Sequence, residues 1–343
     1  MTDFVHAERT RVSTVGRRRV SVLMPTYNHE RWIGAAIESI LDQVGVEIEL
    51  VIVDDGSTDD TSKVIDRFDD PRITRDRFPV NRGKIAAFNR CFELATGDFI
   101  ACCASDDVLG PGSLAARSDA ITAGAGGAWH RIQPCDRDLR PLSGSWTGRD
   151  WTPADLELVL RYPPISGGVL MPARRFAEPA FPLPSSLAAE DWWITIQALA
   201  HGAMIEWVDG PMLIYRLHGG NASGTTTTID PPSDPDLFVW NEDRSLGCYD
   251  AIISSIPAWP VDRTRELERI ARDNRDAGRR MVAGRRTFPS PRRLRSLGPT
   301  RWLLLNLVTI RLARRHWSRL YRSIESIRSS KNRLARIHRT GDA

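Results

Sequence analysis

Three pairs of adjacent acidic residues stand out in this 343-residue sequence: Asp54-Asp55, Asp106-Asp107 and Glu190-Asp191. The neighbouring carboxylates of Asp106-Asp107 repel each other, and a divalent cation such as Mg²⁺ or Mn²⁺ relieves that repulsion, with phosphate oxygens completing its shell. At Asp54-Asp55 one carboxylate suits hydrogen bonds from a nucleobase or ribose. A carboxylate beside a reacting hydroxyl acts instead as a general base. Each pair also has a simpler interpretation, a solvated turn whose carboxylate caps the next helix. The surrounding sequence has to decide between these alternatives.

A fourth polar cluster, Pro25-Thr26-Tyr27-Asn28, follows the apolar residues 20–24. Tyr27 offers an aromatic face for a nucleobase, and the small polar side chains beside it suit the edge of such a base. Packing of the tyrosine in the core is the alternative. There is no GxGxxG after the first apolar run and no GxxxxGK[ST] motif in the chain. The sequence therefore lacks the phosphate-binding loops of dinucleotide-binding proteins and of P-loop NTPases.

The apolar pattern predicts alternating strands and helices around these clusters. Short β-branched runs that end at a turn predict strands, and apolar residues at every third or fourth position predict helices. The predicted strands cover residues 20–24, 48–53, 73–77 and 98–104, and the predicted helices cover 30–43, 59–68 and 84–95. This alternation indicates a parallel α/β sheet whose ligands bind at the carboxyl ends of the strands. The clusters at 25–28, 54–57 and 105–107 fall at those ends and predict a site there.

The pattern is less regular beyond residue 125. We predict a short strand at 168–171, a helix at 192–201 and two strands at 204–208 and 212–215. A loop rich in Gly, Thr and Pro follows at 221–235 and is typical of a lid or linker.

Taken together, these motifs resemble the family 2 glycosyltransferases. The resemblance covers roughly residues 20–223 and rests on six segments in the order typical of the family. They are VSVLMPTYN at 20–28, LVIVDDGSTD at 50–59, NRGK at 81–84 with AAFN at 86–89, ATGD at 95–98 leading to SDD at 105–107, EDW at 190–192 and YRLH at 215–218. The resemblance implies the GT-A fold, a Rossmann-like α/β sheet with flanking helices, to which this chain adds a basic helical region at its C-terminus.

The resemblance also implies an activity and a set of site residues. The activity is transfer of a sugar from a UDP-, GDP- or dTDP-linked donor to a saccharide or lipid-linked acceptor, usually with inversion at the anomeric carbon. The residues implied in donor binding are Pro25, Thr26, Tyr27, Asn28, Asp55, Arg82, Lys84 and Asp106. Asp107 and His218 are implied as ligands of Mn²⁺ or Mg²⁺ on the diphosphate, although His218 in a glycine-rich loop also fits a purely structural role. Asp191 is implied as the catalytic base, with Glu190 orienting the acceptor.

This chain departs from the family pattern at two places. Ala104-Ser105 replaces a third acidic residue, and residues 194–197 replace a basic segment, which leaves the acceptor phosphate contact without its usual residues. The tryptophans of 192–193 follow the predicted base. Aromatic faces suit sugar rings, but we expect at least one of these indoles to belong to the core.

Two function classes follow from these motifs. The first is an enzyme of cell-surface polysaccharide or glycolipid synthesis, and the alternative is a catalytically silent module that serves as a scaffold. The presence of Asp55, Asp107 and Asp191 favours the enzyme, because a scaffold has no need of all three.

The charge of the chain is unevenly distributed. Residues 261–343 carry 23 basic and 7 acidic side chains, a net charge of +16, whereas residues 1–260 have a net charge of −12. We therefore predict an N-terminal extension at 1–19, a catalytic domain at 20–225, a linker or lid at 226–260 and an arginine-rich helical region at 261–343. We expect the chain up to about residue 260 to fold by itself.

The basic region also contains an amphipathic stripe at residues 302–327 that includes two tryptophans. Such a stripe predicts either peripheral binding to the anionic inner face of the cell membrane or packing against the catalytic domain or a second copy of the chain. Nucleic acid binding is not expected, because no recognition motif accompanies the charge. The sequence has no run of eighteen apolar residues, and its five cysteines form no CxxC pair, so we expect a cytoplasmic protein.

Overall fold

The computed structural model describes residues 18–142, 148–161, 170–218 and 242–282. The strands in these ranges are β1 Arg19–Thr26, β2 Glu47–Asp54, β3 Ile73–Arg77, β4 Phe99–Cys102, β5 Val108–Leu109, β6 Gly127–Cys135, β7 Met171–Pro172 and β8 Ile205–Arg216. The helices are α1 Ile33–Leu41, α2 Thr61–Ile65, α3 Lys84–Leu94, α4 Ser113–Thr122, α5 Leu156–Arg161, α6 Arg174–Ala177, α7 Glu190–Ala200, α8 Glu242–Ser255 and α9 Thr264–Val282.

The first sheet is parallel, with strand order β3-β2-β1-β4. Its two central strands are almost entirely buried, which explains their continuous apolar runs. Thr26 pairs with Asp54 at the end of β1 and β2, and Leu23 pairs with Cys102 near the end of β4. The strands therefore end at one edge, and the predicted α/β sheet is confirmed.

Helices cover this sheet through apolar residues at helical spacing. Ile33, Ile37 and Ile40 of α1 are buried in the core, as are Ile85 and Phe88 of α3. Burial of each such side chain stabilises the fold by roughly 1.5–3 kcal/mol. The helices thereby fix the loops that precede them at the carboxyl edge of the sheet.

The second sheet is mixed, with strand order β5-β8-β6-β7. We predicted two strands at 204–208 and 212–215, and this prediction was wrong because both segments pair with β6 as parts of the single strand β8. The ladder shifts register between His130 and Arg131, opposite residues 209–211, which include Gly210 at φ +122°. β8 also pairs with β5, which brings the chain after Arg216 next to Asp106-Asp107.

Both tryptophans at the start of α7 are core residues. The indole N–H of Trp192 donates to the carbonyl of Val159 at 2.7 Å, and that of Trp193 donates to the carbonyl of Ala180 at 2.8 Å. Both side chains are buried, so the expectation that at least one would be structural is confirmed, and neither presents its face to a ligand.

Helices α8 and α9 belong to the same hydrophobic core as the sheets. Tyr249 of α8 donates its hydroxyl to the carbonyl of Leu160, and Leu267 and Ile270 of α9 are buried. We predicted a linker or lid over residues 226–260, but the second half of that range is a packed helix. Independent folding of the chain up to residue 260 stays a prediction, and it has to allow for the core surface that removal of α9 would expose.

Several sequence predictions fall outside the described residues. These are the extension before residue 18, the loop at 221–235 and the amphipathic stripe at 302–327. Within the part of the chain that the structure describes, no helix is long and apolar enough to span a bilayer.

Candidate active site

The carboxyl edge of the first sheet joins three polar loops. Asn28, two residues beyond the end of β1, donates its backbone N–H to the hydroxyl of Ser57, and its side-chain oxygen accepts the N–H of Thr58. Its φ of +55° is a left-handed conformation that asparagine adopts more readily than most residues. Beyond β4, the hydroxyl of Ser105 donates to that of Thr26. The three clusters predicted from the sequence therefore form one continuous edge.

Asp55 organises the loop that precedes α3. One carboxylate oxygen accepts the N–H of Arg82 at 2.7 Å, the other accepts that of Gly83 at 2.9 Å, and the residue is only 2% exposed. The loop lies directly on Gly56, where a Cβ atom would come within 2.6 Å of the carbonyl carbon of Val80. We predicted that Asp55 contacts the donor, whereas here both its oxygens hold this loop.

Two of the predicted donor-binding side chains are exposed at the same edge. Tyr27 is 40% exposed, and the guanidinium carbon of Arg82 lies 4.5 Å from the centre of the Phe78 ring. Pro25 is half-buried, and Thr26 is buried against Ser105. The edge thus presents both an exposed aromatic ring and an exposed cation.

The adjacent carboxylates Asp106 and Asp107 have different partners. Oδ2 of Asp106 lies 3.0 Å from Nε2 of His218, whereas Oδ1 of Asp107 accepts the backbone N–H of Arg216 at 2.9 Å. Asp107 is 2% exposed. We predicted Asp107 as the metal ligand beside His218, but the structure pairs His218 with Asp106. The reason is that the two side chains point in different directions, so that only Asp106 faces the histidine.

The environment also shifts the pKa values of these two carboxyl groups in opposite directions. Burial tends to raise the pKa of Asp106, but the hydrogen bond to His218 and the nearby charges of His29 and His218 bring it below its ordinary value. Burial and the charge of Asp106 raise the pKa of Asp107 well above its ordinary value, and Arg216 offsets this only in part. Asp106 is therefore the member of the pair that stays ionised at neutral pH.

Three residues that the sequence analysis did not single out surround His218. The Trp32 indole stacks on the His218 ring, with centroids 5.4 Å apart, and the guanidinium carbon of Arg216 lies 4.6 Å from the centre of the same indole. Nδ1 of His29 lies 2.7 Å from the hydroxyl of Ser105. Burial lowers the pKa of His29, although the charge of Asp106 acts in the opposite direction.

The sequence offered a signal for only one of these residues. His29 follows the first polar cluster directly, so a histidine at a strand end was visible. Trp32 was interpreted as part of the apolar face of a helix, and Arg216 as part of the YRLH segment. Their contact with His218 depends on how β8 lies beside β5, and no local pattern reports that.

The third acidic pair opens helix α7. Nζ of Lys84, the first residue of α3, lies 2.6 Å from Oε2 of Glu190, which is 9% exposed. Asp191 is partly buried, and its Oδ1 accepts the N–H of Trp192 at 2.7 Å. We predicted that Lys84 approaches the nucleotide, whereas in the structure its ammonium is paired with Glu190.

The surroundings of Asp191 favour a carboxyl group that exchanges its proton near neutral pH. Burial, followed by the charge of Glu190, raises the pKa of Asp191 to about 7, and the Lys84 ammonium and the N–H of Trp192 act against this rise. A general base is most effective when its pKa is close to the working pH, since it is then both ionised and basic. Asp191 meets that condition.

The charges of the two acid pairs reach neighbouring residues at the end of β4. The charges of Glu190 and Asp191 act on the thiol of Cys102, and those of Asp106 and Asp107 act on the thiol of the next residue, Cys103. Burial is the main reason that the pKa of each thiol is raised. Both acid pairs therefore lie near the carboxyl end of β4.

Asp106 and His218 together offer one carboxylate and one imidazole to a cation. Across the described ranges, no three His, Cys, Asp or Glu side chains come together in a way that would hold a metal by themselves. Mg²⁺ in nucleotide sites is commonly bound by one or two carboxylates, with phosphate oxygens and water completing the shell. The donor set therefore fits a cation that arrives with a diphosphate and does not fit a structural metal.

Comparison with known sequences identifies relatives of this chain. The sequence model described as "Glycosyl transferase family 2" matches residues 21–170. An uncharacterised glycosyltransferase of Nostoc sp. is 31% identical over 240 residues, which cover 65% of this chain and 74% of the relative. The Escherichia coli protein WfgD, named as a UDP-Glc:alpha-D-GlcNAc-diphosphoundecaprenol beta-1,3-glucosyltransferase, is 39% identical over 89 residues, which cover 26% of this chain and 35% of WfgD.

Solved structures share the fold. Residues 1–349 of S. aureus TarS in complex with UDP-GlcNAc align with a TM-score of 0.55 and 19% identity, over 75% of this chain and 71% of that one. The mannosyltransferase PcManGT of Pyrobaculum calidifontis, solved with GDP-Man and Mn²⁺, aligns with a TM-score of 0.50 and 18% identity, over 89% of this chain and 84% of its own. At these identities the likeness establishes the GT-A fold.

The raised pKa of Asp191 predicts a specific dependence of stability on pH. Its folded value of about 7 lies above the ordinary value of 3.8, so the native state binds the extra proton and loses stability as the pH rises towards 7. Asp191→Asn removes this ionisation. Relative to wild type, we expect the variant to gain about 1–3 kcal/mol in unfolding free energy between pH 5 and pH 8.

Urea unfolding of both proteins at the two pH values measures this gain. Asp98→Asn is the matched control, because Asp98 is exposed and lies just before β4, at the opposite end of that strand from the site. An equal difference between wild type and Asp191→Asn at pH 5 and pH 8 would show that Asp191 does not carry a raised pKa.

Proposed function

Because the chain belongs to glycosyl transferase family 2, we propose that it is a cation-dependent inverting enzyme whose base is Asp191. It moves a sugar from a nucleotide-sugar donor to an acceptor hydroxyl. The observation that carries this proposal is that the end of β4 has near it both Asp106, an ionised carboxylate paired with His218, and Asp191, a carboxyl group with a pKa of about 7. The first suits a diphosphate with its cation, and the second suits proton transfer.

The donor lies, in this proposal, along the edge formed by the loops after β1 and β2. Tyr27 stacks on the nucleobase, and Arg82 meets the negative charge of the nucleotide. Asp55 acts through the loop it holds, since its two oxygens keep the backbone of Arg82 and Gly83 in place. WfgD is named for UDP-Glc, and TarS was solved with UDP-GlcNAc, so UDP-sugars are the first donors to test. GDP- and dTDP-sugars are to be tested alongside them.

Asp106 and His218 are the residues we assign to Mn²⁺ or Mg²⁺, in place of Asp107 and His218. The support is that Asp106 faces His218 and stays ionised, whereas Asp107 is buried on the N–H of Arg216. A divalent cation there neutralises charge on the leaving diphosphate, a contribution worth several kcal/mol in comparable sites. The Mn²⁺ found with PcManGT is consistent with this choice of ion.

Asp191 takes the proton of the acceptor hydroxyl in a single displacement. The acceptor oxygen forms a bond to the anomeric carbon, the bond from that carbon to the diphosphate oxygen breaks, and the nucleoside diphosphate leaves with the bonding electrons. The configuration at the anomeric carbon inverts, because attack and departure occur on opposite faces. Glu190 lies beside the base in the first turn of α7, where we assign it to orienting the acceptor.

The acceptor in this proposal is a saccharide, free or linked to a lipid. WfgD is named for an acceptor linked to diphosphoundecaprenol, which supports a lipid-linked one, and such an acceptor would bring the enzyme to the membrane surface. Most of the +16 net charge of residues 261–343 lies after residue 282, and this charge would favour an anionic surface. These residues lie outside the described part of the chain.

One prediction of this proposal concerns the catalytic base, Asp191. Asp191→Asn retains donor binding and lowers donor turnover by about 10²–10⁴-fold, because an amide cannot accept the acceptor proton. A panel of UDP-, GDP- and dTDP-sugars, assayed for nucleotide release with and without saccharide acceptors, gives the rate, and calorimetry with UDP gives the affinity. Asp98→Asn is again the control, and we expect it to turn over the donor at the wild-type rate. Turnover of Asp191→Asn within about threefold of wild type would remove Asp191 from the mechanism.

The second prediction concerns the cation. Mn²⁺ strengthens UDP binding to the wild type, and Asp106→Asn abolishes that gain while leaving metal-free binding unchanged. Asp107→Asn keeps the Mn²⁺ effect, because an amide oxygen still accepts the N–H of Arg216. Calorimetry with UDP, in Mn²⁺ and in EDTA, makes both comparisons. Loss of the Mn²⁺ effect in Asp107→Asn, with Asp106→Asn unaffected, would return the ligand role to Asp107.

A further inference from the structure

Helix α3 connects the loop held by Asp55 to the acidic pair of α7. Asp55 accepts the N–H groups of Arg82 and Gly83, and the helix begins at the next residue, Lys84. Gly83 has a φ of +93°, which a side chain would strain, so the chain turns sharply from the loop into the helix. Three consecutive residues thus link the loop to the first turn of α3.

The Lys84 side chain extends that link to α7. Its Nζ lies 2.6 Å from Oε2 of Glu190. The contact is therefore a charge pair, in which the compact ammonium stabilises a nearly buried carboxylate. Asp191 is the next residue along the helix and shares its first turn.

Two further contacts fix the segment that enters α7 onto the same helix. The side-chain amide of Asn89 donates to the carbonyl of Leu183 at 3.0 Å and accepts its N–H at 2.6 Å. The ring of Phe92 stacks on that of Phe181, with centroids 3.8 Å apart. Helix α3 thus holds the approach to α7 at two points and holds its first turn through Lys84.

We propose that Lys84 is a positioning residue for Asp191. It holds Glu190 and connects the first turn of α7 to the loop held by Asp55, and these contacts fix the position of Asp191. This inference rests on the proposed function, because it takes Asp191 as the base. It gives Lys84 a role different from nucleotide binding, which the sequence resemblance implied.

The charges around Asp191 indicate what removal of Lys84 would do. Burial and Glu190 raise the pKa of Asp191, and the Lys84 ammonium lowers it. Among the described residues, the thiols of Cys102 from β4 and Cys248 from α8 also face the pair, both with raised pKa values and hence neutral. Loss of the ammonium therefore raises the pKa of Asp191 further, so that less of the base is ionised at a given pH.

The experiment compares the pH profile of turnover for the full-length wild type, Lys84→Met and Lys84→Arg. The substrate is the nucleotide-sugar that the donor screen shows to be turned over. We expect Lys84→Met to be slower by about tenfold at pH 6 and by less than about twofold at pH 8.5, the pattern of an ionisation moved by one pKa unit. Lys84→Arg keeps the charge and the wild-type midpoint. Calorimetry with UDP shows unchanged affinity for both variants.

Lys63→Met is the matched control. Lys63 also forms a 2.6 Å ion pair, with Asp60, but both of these side chains are exposed on the surface. We expect its pH profile to coincide with that of the wild type. Glu190→Gln removes a negative charge next to Asp191, so we expect the midpoint of its pH profile to move to lower pH. The midpoint of the Lys84→Met/Glu190→Gln double variant is expected between those of the two single variants.

The outcomes separate the two proposals. A Lys84→Met profile that is lowered equally at all pH values, or weakened UDP binding with an unchanged midpoint, would overturn the positioning role and return Lys84 to the nucleotide. Wild-type turnover in Asp191→Asn would overturn the proposed base itself, whatever the Lys84 variants show.

Discussion

A carboxylate at the edge of a buried sheet needs a hydrogen-bond donor or a cation, because an unpaired charge is costly to remove from water. Most acidic residues at this edge meet that requirement through partners that are distant in the sequence. Asp55 is held by two N–H groups before α3, Asp107 by the N–H of Arg216, and Asp106 by His218. Each of these contacts joins two loops. The pairings that stabilise the charges are therefore also the contacts that give the site its shape.

Asp191 differs from these carboxylates because its hydrogen bond joins no second loop. Within the described residues it accepts a hydrogen bond from its own neighbour Trp192, and the nearest cation, Lys84, is paired with Glu190. Burial and the charge of Glu190 disfavour its ionised form in the folded protein, which raises its pKa and lowers stability as the pH rises towards 7. A carboxylate with fully satisfied oxygens would stabilise the fold but would be a weaker base. The burial of Asp191 beside Glu190 is thus the structural origin of its proposed reactivity.

Local patterns were sufficient to predict the first sheet and its functional edge. The periodicity of residues 73–77 and 84–95 defined β3 and α3 almost to the residue, because strand and helix periods are properties of short segments. The roles of Asp106 and Asp107 were beyond such reasoning. Their partners, His218 and Arg216, lie 112 and 109 residues further along the chain, and only the pairing of β8 with β5 brings them together.

The same limit explains the error over the helices at the C-terminal side. The polar and proline-rich composition of residues 226–260 favoured a linker, and nothing local indicated that Tyr249 would reach the carbonyl of Leu160, 89 residues earlier. The ion pair between Lys84 and Glu190 has the same origin, since it joins two helix starts that are distant in sequence. Long-range contacts therefore decided both the extent of the core and the electrostatics of the base.

The stereochemistry of transfer tests the central claim, a single displacement with Asp191 as the base, most directly. Proton NMR of the product made from an α-linked nucleotide-sugar, recorded before any equilibration, gives the anomeric configuration through the coupling of the anomeric proton. The account predicts a β-linked product. An α-linked product would contradict it, because retention through a covalent intermediate requires two displacements and a nucleophile that this mechanism does not contain.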